Sequence, residues 1–188
     1  MKLLLLLLTV IAVGTVSTTS AVSYDTVSIR LTENPQFCVF SEDVRFQTLT
    51  FLALHSWEKQ LTMANPVDWK TDLDSVSTLD WNKCDVIVQF VDNMDNPLNL
   101  GKTDLNEAEA LITVPLYSEG KKLPTQDILN VLTHEIGHSM GLGHYDSGVL
   151  NDKDSIMSPQ FEPFKNIILE IMPIDIMKMI EIYPEGFQ

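Results

Sequence analysis

The stretch HEIGHSMGLGH, His134 to His144, carries three of the four histidines in the chain. A helix advances about 100° per residue, so residues four apart share a face and His134 and His138 project together. The spacing predicts a helix from Gln126 to about Met140, capped by Thr125 and with Asp127 in its first turn. Leu129, Leu132, Ile136 and Met140 gather on its core side, and the histidines fall opposite. Histidines serving only as packing would sit within the apolar stripe, so this pair is expected to face a cleft and a metal ion. His144 is out of reach of an unbroken helix. Gly141 supplies the left-handed residue that ends a helix, which lets the chain turn back and bring His144 to the same point.

Three imidazoles with no cysteine nearby suit a catalytic zinc, which keeps its fourth position for water. Glu135, beside the first histidine, is placed to take a proton from that water and return it to a leaving amine. The pattern HExxHxxGxxH fixes five positions, which makes a chance match very improbable. The competing reading is a buried helix without metal. Gly137 in mid-helix costs about 1 kcal/mol relative to Ala, and together with polar residues opposite the core it makes that reading a poor one.

The remainder sets the setting for this site. Lys2 precedes an apolar run, Leu3 to Val13, that fades into small and hydroxyl residues ending at Ala21, the layout of a secretory signal peptide. The run is shorter than the roughly 20 residues that span a bilayer, so cleavage near Ala21 is expected, with an uncleaved anchor as the alternative. Residues 22–188 suit one domain, expected to be a secreted monomer with no membrane contact after cleavage. Acidic residues outnumber basic ones 26 to 12, for a net charge of −14, which argues against nucleic acid or anionic lipid as a partner. In an oxidising compartment Cys38 and Cys84 are expected to pair, the alternative being two separate buried thiols.

Between these landmarks, TVSIRLT alternates like a half-buried strand, and Ser41 to Leu61 takes helical spacing, with Ser41 as its cap and Phe46, Leu49, Ala53, Trp57 and Leu61 as its apolar stripe. His55 lies off that stripe and reads as a surface residue. CDVIVQFV, Cys84 to Val91, reads as an inner strand. ALITVPLY, Ala110 to Tyr117, reads as an edge strand because of Pro115, open to pairing with an extended substrate. The intervening DNMDNPLNLGKTDLNEAE reads as loop, with carboxylates that offer a calcium site or simple solvation.

HEIGHSMGLGH followed by SIM, Ser155 to Met157, resembles the metzincin signature of a zinc-binding helix and a Met-turn at Met157. Within the metzincins the chain is similar to the matrixins: ALHSW is like the end of their first helix, CDVIVQF like one of their strands, and PIDIMKMIEIYP like their closing helix. The resemblance implies an α+β fold, a twisted mixed sheet with two long helices above a small C-terminal subdomain with a final helix. It also implies zinc endopeptidase activity on protein or peptide substrates. Pro159 and Phe161 occupy the place of the segment that walls the pocket for the residue after the scissile bond, so cleavage before apolar residues is expected. The alternative is a zinc-bearing binding module on the same fold that has lost turnover, against which Glu135 counts.

The chain departs from the family pattern in several places. Tyr145 follows the third histidine where matrixins usually carry Ser. The segment between His144 and Met157 is longer than in animal matrixins, and its Asp146, Asp152 and Asp154 offer another calcium site or a solvated loop. Pro159 stands where astacins and serralysins place a tyrosine ligand. Only His55 lies upstream of the active-site helix, so one zinc is expected rather than two. No cysteine switch or propeptide is expected between the leader and SYDTVSIRL.

Overall fold

The computed structural model describes residues 23–26, 31, 34–75, 83–97, 99–106, 109–146, 155–159 and 161–187. The expected signal peptide, the acidic residues Asp152 and Asp154, and most of the TVSIRLT strand lie outside these residues. Among the described residues no helix is long and apolar enough to cross a membrane.

A five-stranded mixed sheet forms one layer. Its order is β3 (Asp72–Ser75), β2 (Gln36–Val39), β4 (Val86–Val91), β6 (Ala110–Pro115) and β5 (Lys102–Leu105). The first four strands run parallel, and β5 is antiparallel to β6. Parallel strands need crossover connections, and the long helix α1 (Val44–Ala64) provides the one between β2 and β3. In β4, Val86, Ile87 and Val88 are all buried, as expected of an inner strand. Val86 and Val88 join the main core beneath the helices, whereas Ile87 packs on the opposite face with Cys38 and Cys84.

The sheet edge differs from the sequence expectation. β6 is internal, and β5, within the segment read as loop, is the edge strand on that side. Pro115 is tolerated because of its register. Pairing of β6 with β5 stops at Thr113, and the hydrogen bond to β4 beyond it is donated by Leu116 N–H to the Val91 carbonyl. The missing N–H thus falls past the last residue paired with β5, where no ladder bond is forfeited.

Both long helices start differently from their expected caps. Asp43, not Ser41, caps α1, its carboxylate accepting from Arg45 N at 2.9 Å, while Ser41 Oγ accepts from Asp43 N. The buried side of α1 comprises Thr50, Ala53, Leu54, Trp57 and Leu61; Phe46 and Leu49 are half-buried at its margin. His55 is exposed and stacks on Phe51. The second helix, α2 (Thr125–Ser139), begins at Thr125 itself after Pro124, without a side-chain cap bond. The two helices are joined through their buried faces by Trp57 Nε1–H, which donates to the Thr133 carbonyl at 3.0 Å.

Beyond α2 the chain forms β9 (Leu142–Asp146), which pairs antiparallel with β1 (Ser23–Thr26). A short hairpin, β7 (Tyr117–Ser118) and β8 (Lys121–Lys122), connects the sheet to α2. The last helix, α3 (Pro173–Ile182), starts at Pro173, and Asp175 accepts from Met172 N at 2.8 Å. Asp175 is fully buried and also accepts from Ser155 Oγ at 3.2 Å, which ties the closing helix to the turn carrying Met157.

Candidate active site

The core side of α2 buries Leu132, Ile136 and Met140 completely, each burial contributing about 1.5–3 kcal/mol. This fixes the rotation of the helix and turns His134 and His138 towards the cleft under β5. Gly141 then adopts φ +96°, and its N–H donates to the His138 carbonyl at 2.9 Å. Such a φ is strained for any residue with a Cβ. The reversal carries His144 on β9 back to the pair. The three Nε2 atoms converge, with His138 at 2.9 Å from His134 and 3.2 Å from His144, and His134 and His144 at 3.3 Å.

These contacts are not ordinary hydrogen bonds. His134 Nδ1 lies 2.6 Å from the Ile156 carbonyl, and His138 Nδ1 lies 2.7 Å from the Leu142 carbonyl. A carbonyl only accepts, so each Nδ1 carries the hydrogen and each Nε2 presents a lone pair. Two lone pairs 2.9 Å apart repel unless a cation lies between them. A tetrahedral zinc with Zn–N of about 2.0–2.1 Å separates its nitrogens by about 3.3 Å, close to the three distances found. Backbone carbonyls that fix the ring tautomer are also the usual outer partners of metal-bound histidines. The donor set therefore fits zinc. Among the described residues, these histidines are the one group of His, Cys, Asp and Glu that could hold a metal ion. The carboxylates suggested for calcium form no such group there.

Electrostatics keep the rings ready for a metal. Burial, reinforced by the neighbouring His138, lowers His134 from 6.5 to about 3, and burial lowers His138 to about 4. Both are neutral at physiological pH. Burial also raises Glu135 from 4.5 to about 7, opposed by a hydrogen bond from Thr103 and assisted by Asp104. A carboxyl poised near neutrality suits proton transfer in both directions.

Met157 is fully buried against the histidine-bearing helix at Gly137, its N–H donating to Ser155 Oγ at 3.2 Å. Its sulfur fills the space that a Cβ on Gly137 would occupy. Gly137 is thus explained by this close approach, which outweighs the poor helix propensity noted from sequence. The cleft, of about 420 Å³, is lined by His134, Glu135, His138 and His144 on one side. Val131, Leu169, Pro159 and Phe161 add apolar lining, and Lys102, Asn130 and Ser158 polar lining. That volume accommodates a side chain and adjoining peptide. Cys38 and Cys84 form a disulfide with Cα atoms 5.8 Å apart, on the far face of the sheet from this cleft.

Several participants escaped the sequence reading. The Ile156 and Leu142 carbonyls carry no side-chain signal at all. Thr103 and Gly101 were hidden because the segment containing β5 is rich in Asp, Asn and Pro and masks a four-residue strand.

Comparison with known proteins bears on the fold and the family. The crystal structure of myroilysin superposes with a TM-score of 0.53 at 9% identity, over 83% of this chain and 85% of that one. Metalloproteinase-II from Bacteroides fragilis gives a TM-score of 0.50 at 14% identity, over 84% of this chain and 56% of that one. At these identities the likeness concerns the fold. No curated protein matches the sequence. The matrixin family pattern, however, matches residues 53–184, from the middle of α1 to beyond α3 and through the whole site. The chain belongs to the matrixin family and is a zinc metallopeptidase.

Proposed function

We propose that the protein is a secreted endopeptidase in which His134, His138 and His144 hold one zinc ion and Glu135 is the general base. The convergence of three imidazole Nε2 atoms, two of them held as lone-pair donors, beside a buried carboxyl in an open cleft carries this reading. When bound, zinc supplies a Lewis acid that acidifies water and polarises a carbonyl. Glu135 takes the proton of the attacking water and delivers it to the amine that leaves. A binding module without turnover has no need of such a base, so the enzyme is favoured over that alternative. Zinc in solution is the cofactor, and a protein or peptide is the substrate.

The exposed edge of β5 offers main-chain groups to an extended peptide, so the backbone is held with little regard to side chains. Selectivity then falls to the apolar lining of the cleft, Val131, Pro159, Phe161 and Leu169. Cleavage is expected before Leu, Ile, Met or Phe, whose side chains gain by burial against this apolar lining, where a charged side chain would shed hydration. Residues 1–21 act as the cleaved leader and residues 22–188 as the one catalytic domain; the Cys38–Cys84 disulfide supports an oxidising destination.

Metal analysis and digestion of a peptide library by the purified protein test the reading. Glu135→Gln should retain zinc and lose hydrolysis, and His144→Ala should lose zinc. Hydrolysis near wild-type level by Glu135→Gln would overturn the assignment of the base.

A further inference from the structure

The Glu135 carboxylate is enclosed by one short segment of chain. Thr103, in the middle of β5, places its Oγ1 2.6 Å from Glu135 Oε2 and 3.0 Å from the Glu135 carbonyl. Two residues earlier, Gly101 lies against the other carboxylate oxygen: a Cβ there would stand 2.5 Å from Glu135 Oε1 and 2.6 Å from Val131 Cγ1. A side chain at Gly101 would push against the carboxylate and Val131, and a residue at 103 without a hydrogen-bond donor would lose the bond to Oε2. One contact comes from β5, the strand whose outer edge is open to an extended peptide, and the other from the residue immediately before it.

A threonine hydroxyl has one hydrogen and lone pairs to accept with. It donates to an ionised Oε2. The hydroxyl is thus held between the carboxylate and the backbone carbonyl of the same residue, 2.6 Å and 3.0 Å away.

We infer that Thr103 is a positioning residue for the general base, holding the Glu135 carboxylate in its working orientation and linking it to the strand that receives the substrate. This rests on the assignment of Glu135 proposed above. The hydroxyl acts through Glu135 and not on the substrate, so its loss affects turnover more than binding. Thr103→Val keeps the shape and branching of the side chain and removes only the hydroxyl. Thr103→Ser keeps the donor.

The test uses the zinc-loaded protein and two kinds of measurement. In peptide hydrolysis, Thr103→Val should lower kcat by about tenfold or more with KM within about twofold, as expected when the orientation of a base is lost. Thr103→Ser should recover most of kcat. Binding of a hydroxamate, whose oxygen reaches both the metal and the base, should weaken about tenfold in Thr103→Val. A simple thiol that reaches only the metal should bind unchanged, and zinc content should equal that of wild type. Wild-type kcat and hydroxamate affinity in Thr103→Val would overturn the inference, as would failure of Thr103→Ser to recover kcat. Equal weakening of hydroxamate and thiol would also overturn it, by placing the effect at the metal. If wild type itself neither binds zinc nor cleaves peptides, the functional proposal fails instead, a result distinct from all of these.

Discussion

Replacing Gly137 by Ala tests how tightly the site is supported from below. On a free helix the substitution gains about 1 kcal/mol in helix propensity. Here the new methyl would overlap Met157 Sδ, with Met157 Cε and Trp57 Cζ2 each 3.1 Å away. Met157 cannot yield cheaply: it is completely buried, and its backbone is fixed by Ser155 Oγ and by the Ser158 N–H bond to the Ser155 carbonyl. Inserting a methyl into such packing costs about 1–3 kcal/mol, so a net loss of up to about 2 kcal/mol is expected after the propensity gain. Met157→Ala alone should cost about 2–5 kcal/mol through the cavity it leaves. In that background Gly137→Ala should become stabilising by about 1 kcal/mol, since the obstacle is gone and the Trp57 contact is common to both backgrounds. Urea denaturation of wild type, both single variants and the double variant measures the cycle, with a coupling of about 1–3 kcal/mol expected. An equal effect of Gly137→Ala in both backgrounds would refute the claim that Met157 dictates the glycine.

Two further outcomes follow from charge and covalent structure. Below pH 6.5 the metal-free fold binds fewer protons than the unfolded chain at His134 and His138, lowered to about 3 and about 4; their contribution is present above pH 6.5 and lost on acidification. Glu135, raised from 4.5 to about 7, has the opposite sign: its contribution is present below pH 4.5 and lost as the pH rises to about 7. Metal-free Glu135→Gln should therefore gain stability with pH more steeply than wild type between pH 5 and 7, by at most about 1.4 kcal/mol per unit, and parallel urea profiles would contradict this. Cys38 and Cys84 are separated by 46 positions, so replacing both by Ala should cost about 4 kcal/mol through loop-closure entropy, with hydrolysis retained at temperatures where the variant stays folded. A thermal midpoint unchanged by the double substitution would disprove the stabilising role.

What the sequence determined by itself was whatever depends on neighbours along the chain. The four-residue spacing of His134 and His138, the glycine that lets His144 return, and the apolar stripe of α2 are short-range properties of backbone geometry, and they specified the site before any fold was known. The inner strand β4 was legible for the same reason, because a continuous β-branched run is at home only where both faces are covered. The tertiary structure decided what depends on partners distant in sequence. Pro115 signals an edge, but whether its missing N–H matters is set by where β5 stops pairing, and that register belongs to another segment. Gly137 has poor propensity when the helix is considered alone and is required once Met157 packs against it. The hydrogen bonds that fix the histidine tautomers come from the carbonyls of Ile156 and Leu142, groups every residue has, and Thr103 reaches Glu135 across 32 positions of chain. Spacing along one helix can aim ligands at a point, whereas the orientation of their rings and of the base beside them is fixed only when separate segments pack together.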